Sequence, residues 1–114
     1  MKGWQRFENE VAQTLGLDTT IHSGVKFWDP GDVVTRGRGG PFPLLADCKY
    51  TELRSYSLKA AELRKLTDMA EQLGKRFIMP MRFAHKGDVG TEDYVVLTLS
   101  DLCELLDGYV RRLR

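Results

Sequence analysis

Two aspartates, Asp32 and Asp47, stand fifteen positions apart on either side of the turn-rich stretch RGRGGP, and Lys49 follows the second by two. If the turn is centred between Gly39 and Gly40, the strand pairing brings Asp32 opposite Asp47. Directly opposed residues of an antiparallel pair share a face, with Cα atoms about 4.5–5.5 Å apart. Side chains alternate along a strand, so Lys49 joins Asp47 while Cys48 turns to the other face. The spacing therefore predicts two carboxylates and one ammonium gathered together.

Opposed carboxylates repel, and a cation must compensate. Lys49 alone would do so in a surface charge ladder. Two carboxylates with open oxygens also form the hard, all-oxygen environment that Mg²⁺ or Mn²⁺ prefers. An ion held there polarises a phosphoryl oxygen and acidifies a bound water. Lys49 would orient or deprotonate that water, or stabilise charge developing at phosphorus. In LLADCK the acid and the lysine end an apolar run, where the strand is still partly buried and charges need a reason. That context favours a site over a ladder.

The elements that must position these residues follow from periodicity. Trp4, Phe7, Val11 and Leu15 make a one-sided helical stripe ended by Gly16. Residues 19–28 read as a strand bent at Gly24, and 32–35 and 42–50 as a hairpin. A helix is expected over 57–73, with Ser57 as cap and Gly74 as terminator. RFIMPMRF (76–83) reads as a strand whose Pro80 calls for an edge position or a bulge. Strand 93–99 and a last helix capped by Ser100 complete the order α-β-β-β-α-β-β-α. The expected fold class is α/β: a single domain with a central mixed β-sheet flanked by helices.

At 114 residues the chain suffices for one core. Its 17 basic and 16 acidic residues nearly cancel, so only their distribution informs about nucleic acid. No apolar run approaches the roughly 20 residues of a membrane span. Two distant cysteines, Cys48 and Cys103, complete no zinc motif and are expected as reduced, buried thiols. With no signal-peptide pattern, a cytoplasmic location is expected.

An acid near a hairpin, an acid-x-lysine on the next strand and a preceding helix bearing a glutamate form the pattern of the PD-(D/E)xK nuclease superfamily. Within it the chain most resembles the archaeal-type Holliday junction resolvases. The likeness runs from KGWQRFENEVAQTLG through GDVV and LLADCK to LRKLTDMAEQLGKRFIMPMRF, about residues 2 to 83.

The resemblance implies a restriction-endonuclease-like core and metal-dependent cleavage of four-way DNA junctions by a homodimer. It implies Glu8, Asp32 and Asp47 as catalytic metal ligands with the Cys48 main-chain carbonyl, Lys49 as the catalytic lysine, and Mg²⁺ as cofactor, with Mn²⁺ substituting. Arg82 stands where relatives carry a supporting lysine, and Ser23 where they place a hydroxyl near the scissile phosphate. Glu10 rivals Glu8 and Asp29 rivals Asp32, because the motif reads PGD instead of PD. Asp47 also stands where the family usually has Glu.

Arg36, Arg38, Arg54 and Lys59 are expected on the DNA backbone, giving salt-sensitive affinity without base reading. Segment 50–58 reads as a flap or a connecting loop. Helix 57–73 with strand 76–83 is the expected dimer element. The rival readings are the same chemistry on other branched, nicked or duplex DNA, and a noncatalytic DNA-binding module.

Overall fold

The computed structural model describes residues 2–19, 32–35, 43–85 and 90–113. Three helices and six strand segments follow in the order α1 (Gly3–Leu15), β1 (Leu17–Thr19), β2 (Asp32–Thr35), β3 (Leu44–Asp47), β4 (Lys49–Thr51), α2 (Ala60–Gln72), β5 (Arg76–Phe83), β6 (Glu92–Val96) and α3 (Leu99–Leu113). The fold class is α/β. Among the described residues no helix is long and apolar enough to cross a membrane.

β1, β2 and β3 form an antiparallel series, β3 and β4 run parallel to β5, and β6 is antiparallel to β5. Leu44 pairs with Arg76 and Thr51 with Phe83 at one constant offset, so β3 and β4 are one strand line interrupted at Cys48. Alternation sorts the sheet's side chains onto two faces. Ala46 and Ile78 pack with Phe7, Val11, Ala12 and Leu17 on the α1 face. Leu45, Phe77, Met79 and Met81 pack with Leu66 and Ala70 on the α2 face.

The interruption has a cause in the sequence. The Arg76 N–H donates to the Pro43 carbonyl and the Ala84 N–H to the Thr51 carbonyl, both at 2.8 Å. The same spacing sets the Pro80 nitrogen against the Asp47 carbonyl, and proline has no N–H to give. Pro80 thus occupies neither the edge position nor the bulge that the sequence led us to expect. β5 is flanked on both sides and its register with β6 is continuous through Pro80–Val95. The sheet accepts the proline by omitting one bond.

Helix ends depart from expectation in instructive ways. The buried arc of α1 is Phe7, Glu8, Val11 and Ala12, whereas Trp4 and Leu15 are exposed. Gly16 ends the helix at φ +68° and its N–H reaches the Ala12 carbonyl. α2 starts at Ala60 with Lys59 as an N-cap lacking a side-chain bond, leaving Ser57 in the irregular stretch before it.

The cap of α3 is Thr98, whose Oγ1 accepts the Asp101 N–H at 3.0 Å, and Ser100 lies inside the helix. Thr98→Ala is expected to lower stability by about 1 kcal/mol in chemical denaturation, and Ser100→Ala by much less. Cys48 is half-buried and Cys103 exposed, so the second thiol is not the core residue expected.

Candidate catalytic site

β2 and β3 meet in the register anticipated from the turn: Asp32 opposite Asp47, Val33 opposite Ala46, Val34 opposite Leu45. The Asp32 side chain lies outside the described residues. Asp47 closes β3 and Lys49 opens β4, so both flank the point where the ladder to β5 lapses. Asp47 is only 4% exposed. Lys49 Nζ stands 3.1 Å from Asp47 Oδ2 and 3.1 Å from Glu62 Oε2 of α2. Burial alone would lower the Lys49 pKa, but the Asp47 charge and the bonds to Glu62 and Asp47 outweigh it and raise it.

α1 brings a second buried carboxylate. Glu8 is 4% exposed, and its Oε1 is buried with no hydrogen-bond partner among the described residues. Burial, reinforced by the charge of Asp47, pushes its pKa up to about 7. A buried carboxylate without donors is costly, and native structures retain such a group where something else completes it. α1 closes on this end of the sheet because Gly3 lets Tyr50 of β4 approach its first turn, where an added Cβ would collide with the tyrosine hydroxyl. Glu8 and Glu62 therefore approach the Asp47–Lys49 segment from different helices.

Glu10, the rival of Glu8, goes elsewhere. It is 47% exposed and pairs with Arg82 at 2.7 Å. Arg82 also grips Asp93 of β6 through two bonds of 2.8 Å and lies 4.6 Å over the Phe7 ring. Alternation sets it with the α1 face, opposite in orientation to its β5 neighbour Met81, which pairs with Lys49. Hydrogen bonding to Asp93, offset in part by burial and aided by Glu10, keeps the guanidinium firmly charged. Arg82 is thus a tie between α1, β5 and β6. Arg82→Met is expected to cost about 1–2 kcal/mol, read by chemical denaturation.

Cys48 sends its side chain to the α1-face cluster. Carbonyls alternate between the two edges of a strand, and those of Pro43 and Thr51 face β5. Cys48 therefore directs its carbonyl to the other edge, the side on which β2 pairs with β3. Arg54 and Lys59 are exposed beyond β4. Ser23, Asp29, Arg36 and Arg38 lie outside the described residues.

Sequence reasoning missed Glu62. Helical spacing puts it just before Leu63 and Leu66, at the edge of the sheet-facing stripe of α2. Which strand that edge meets depends on how α2 crosses the sheet, and no local pattern encodes it.

Among the described residues no group of three or more His, Cys, Asp or Glu side chains is gathered for a metal ion. Glu8 and Asp47 supply two oxygen donors, and the register places the backbone of a third acid, Asp32, opposite Asp47. An all-carboxylate set with a buried, unsatisfied oxygen suits a hard divalent cation. The chain matches no family model, no curated protein and no solved structure.

Proposed function

We propose that the chain is a Mg²⁺-dependent endonuclease with a restriction-endonuclease-like PD-(D/E)xK core, acting as a homodimer on four-way DNA junctions. One observation carries the chemistry: buried Glu8 sits under the influence of Asp47, which pairs with Lys49 and opposes Asp32 in register. Glu8, Asp32, Asp47 and the Cys48 carbonyl would hold the ion, with Mn²⁺ able to replace Mg²⁺. When bound, the ion supplies Lewis acidity at the phosphate and an acidified water.

The protein's own groups divide the remaining work. Lys49 has its pKa raised by two carboxylates, so it acts as a fixed positive charge beside the phosphate rather than as a proton acceptor. Glu62 holds that ammonium in place from α2. Glu8 takes up or gives back a proton near neutral pH, and its charged form is the one that binds a cation. Arg54 and Lys59, both exposed, would meet backbone phosphates. The choice of a junction rests on the resemblance of the opening helix, the GDVV–LLADCK hairpin and the 63–83 segment to junction resolvases.

The deciding experiment is cleavage of an end-labelled four-way junction, a matched duplex and a single strand in Mg²⁺ and in Mn²⁺. Paired, symmetry-related nicks in the junction alone are the expected result. Equal cutting of the duplex would keep the nuclease and remove the junction preference. No cutting of any substrate with either ion would remove the nuclease.

A further inference from the structure

β6 is an edge strand without the usual guards. Among the described residues it pairs with β5 alone. Edges are commonly blunted by lysine, proline or a bulge. EDYVV contains no lysine or proline, and its register with β5 is continuous from Glu92 to Val96. Its two acids lie at one end, where Arg82 holds Asp93 and His85 stands 3.4 Å from Glu92. Tyr94 and Val95 follow, 57% and 52% exposed. The direction of the unpaired groups follows from the ladder. Arg76 and Ala84 turn their N–H groups to Pro43 and Thr51, so even-numbered residues of β5 face β3 and β4. Met79, Met81 and Phe83 therefore face β6, where they pair with Val96, Tyr94 and Glu92. Asp93 and Val95 alternate with these and direct their N–H and C=O groups outward. Among the described residues no backbone group meets them there.

Beside this edge, on the α1 face, the sheet floor is uncovered. Val11, Leu15, Ile78, Pro80, Val95 and Leu105 line a groove of about 670 Å³. The register puts the Arg82–Asp93 pair at one end of it, Pro80–Val95 in the middle and Ile78 beyond. Charge gathers at the first end. Glu10, Glu92 and Asp93 are each about half exposed and share one guanidinium and one imidazole. Carboxylates stay in excess there whichever way the imidazole is charged, so this face repels nucleic-acid phosphates. β6 has no basic residue, and a second β6 would bring no cation to that end. A strand with apolar residues at alternate positions and a lysine or arginine beside Asp93 meets edge, groove and charge together.

We infer that the β6 edge is the docking site for an extended segment of a different protein, added as an antiparallel strand with a basic residue beside Glu92 and Asp93. The outward N–H and C=O groups of Asp93 and Val95 supply the backbone bonds. Alternate apolar side chains of the added strand lie over Val95 and enter the groove. This interface is independent of the cleavage chemistry at Asp47, and its loss would leave that chemistry in place.

The probe is a fluorescein-labelled, amidated hexapeptide of alternating valine and threonine ending in lysine, titrated with the full chain and followed by anisotropy. Saturable binding is expected. The same peptide with proline at every threonine position, which lacks those N–H groups, is expected not to bind. Glutamate in place of the lysine should weaken binding at least tenfold at low salt, an effect that fades as salt screens the charges. Val95→Pro should also weaken it about tenfold or more, since it removes one outward N–H and no bond to β5. Circular dichroism and melting report whether that variant keeps its fold. If it does not, Val95→Lys decides, because it keeps the backbone and sets a cation where the peptide would lie. No saturable binding at millimolar protein, equal binding of the proline peptide, or unchanged binding by the folded Val95 variant would overturn the proposal. So would a wild-type dimer that Val95→Pro or Val95→Lys dissociates in sedimentation equilibrium, since the edge would then belong to a second copy of the chain.

Discussion

Asp47→Asn is expected to reduce Mg²⁺-dependent DNA cleavage by about 10³-fold or more while changing the stability of the metal-free protein by less than about 1 kcal/mol. The two effects separate because the carboxylate's charge serves different partners. For cleavage, an amide keeps the shape but not the charge that binds a cation. For stability, the lost attraction to Lys49 is balanced by relief of repulsion on Glu8, and Lys49 keeps Glu62 as a counter-charge.

Lys49→Ala is expected to behave differently. It removes the cation paired with buried Asp47, and breaking a buried pair from one side costs about 3–5 kcal/mol. Cleavage should fall about 10²–10³-fold as well, since a fixed charge beside the phosphate is lost. Single-turnover cleavage and urea denaturation of both variants would check the pair of claims. Equal destabilisation by the two would mean that Glu62 does not hold the lysine.

Glu8 should impose a pH dependence of stability opposite to that of an ordinary ion-paired acid. Its carboxyl titrates at 4.5 when unfolded and at about 7 when folded, because burial and the Asp47 charge favour the protonated form. Between those values the native state binds the extra proton, so stability falls as pH rises from about 4.5 to about 7. The full effect is on the order of 3 kcal/mol. Glu8→Gln is expected to flatten this slope and to exceed the metal-free wild type in stability at pH 8. A divalent cation should reverse the order: Mg²⁺ or Mn²⁺ at pH 8 would raise the wild-type melting temperature and leave Glu8→Gln nearly unchanged. Denaturation curves between pH 4 and 8, with and without the ion, provide the check. A wild type more stable at pH 8 than at pH 5 without metal would refute this account of Glu8.

The register of Asp32 and Asp47 was legible because a Gly-rich turn between two short β-branched or apolar runs leaves few ways to pair them. Strand 76–83 and the span of α1 were legible from composition and periodicity alone. What escaped was set by distant parts of the chain. Pro80 forbids one hydrogen bond, but whether that excludes a central strand depends on which neighbour would have received it. Arg82 was singled out by its place in the family pattern, and its partners Glu10 and Asp93 come from α1 and β6, which no local pattern announces. Glu62 entered the site only through the packing of α2. Thr98 caps α3 in place of Ser100 because the helix begins two residues earlier than its apolar pattern suggests. The strand expected over 19–28 is described only at Thr19, within β1, and the turn bearing Arg36 and Arg38 lies outside the described residues.

The proline in the middle of β5 also bears on the fate of the unfolded chain. FIMPMRF is apolar, weakly charged and rich in residues that favour extended structure, which is the composition of segments that stack into cross-β fibrils. In such a stack every amide must find a carbonyl in the chain above or below, and Pro80 denies one in each layer. The native sheet loses the same bond only once, beside Asp47. Pro80→Ala should therefore change native stability by less than about 1 kcal/mol, a regained bond against a freer unfolded chain. Yet it should shorten the lag before aggregation on heating, followed by light scattering or thioflavin fluorescence. By this account, the residue that breaks the ladder beside the carboxylates also guards a fibril-prone stretch of the chain while it is still unfolded.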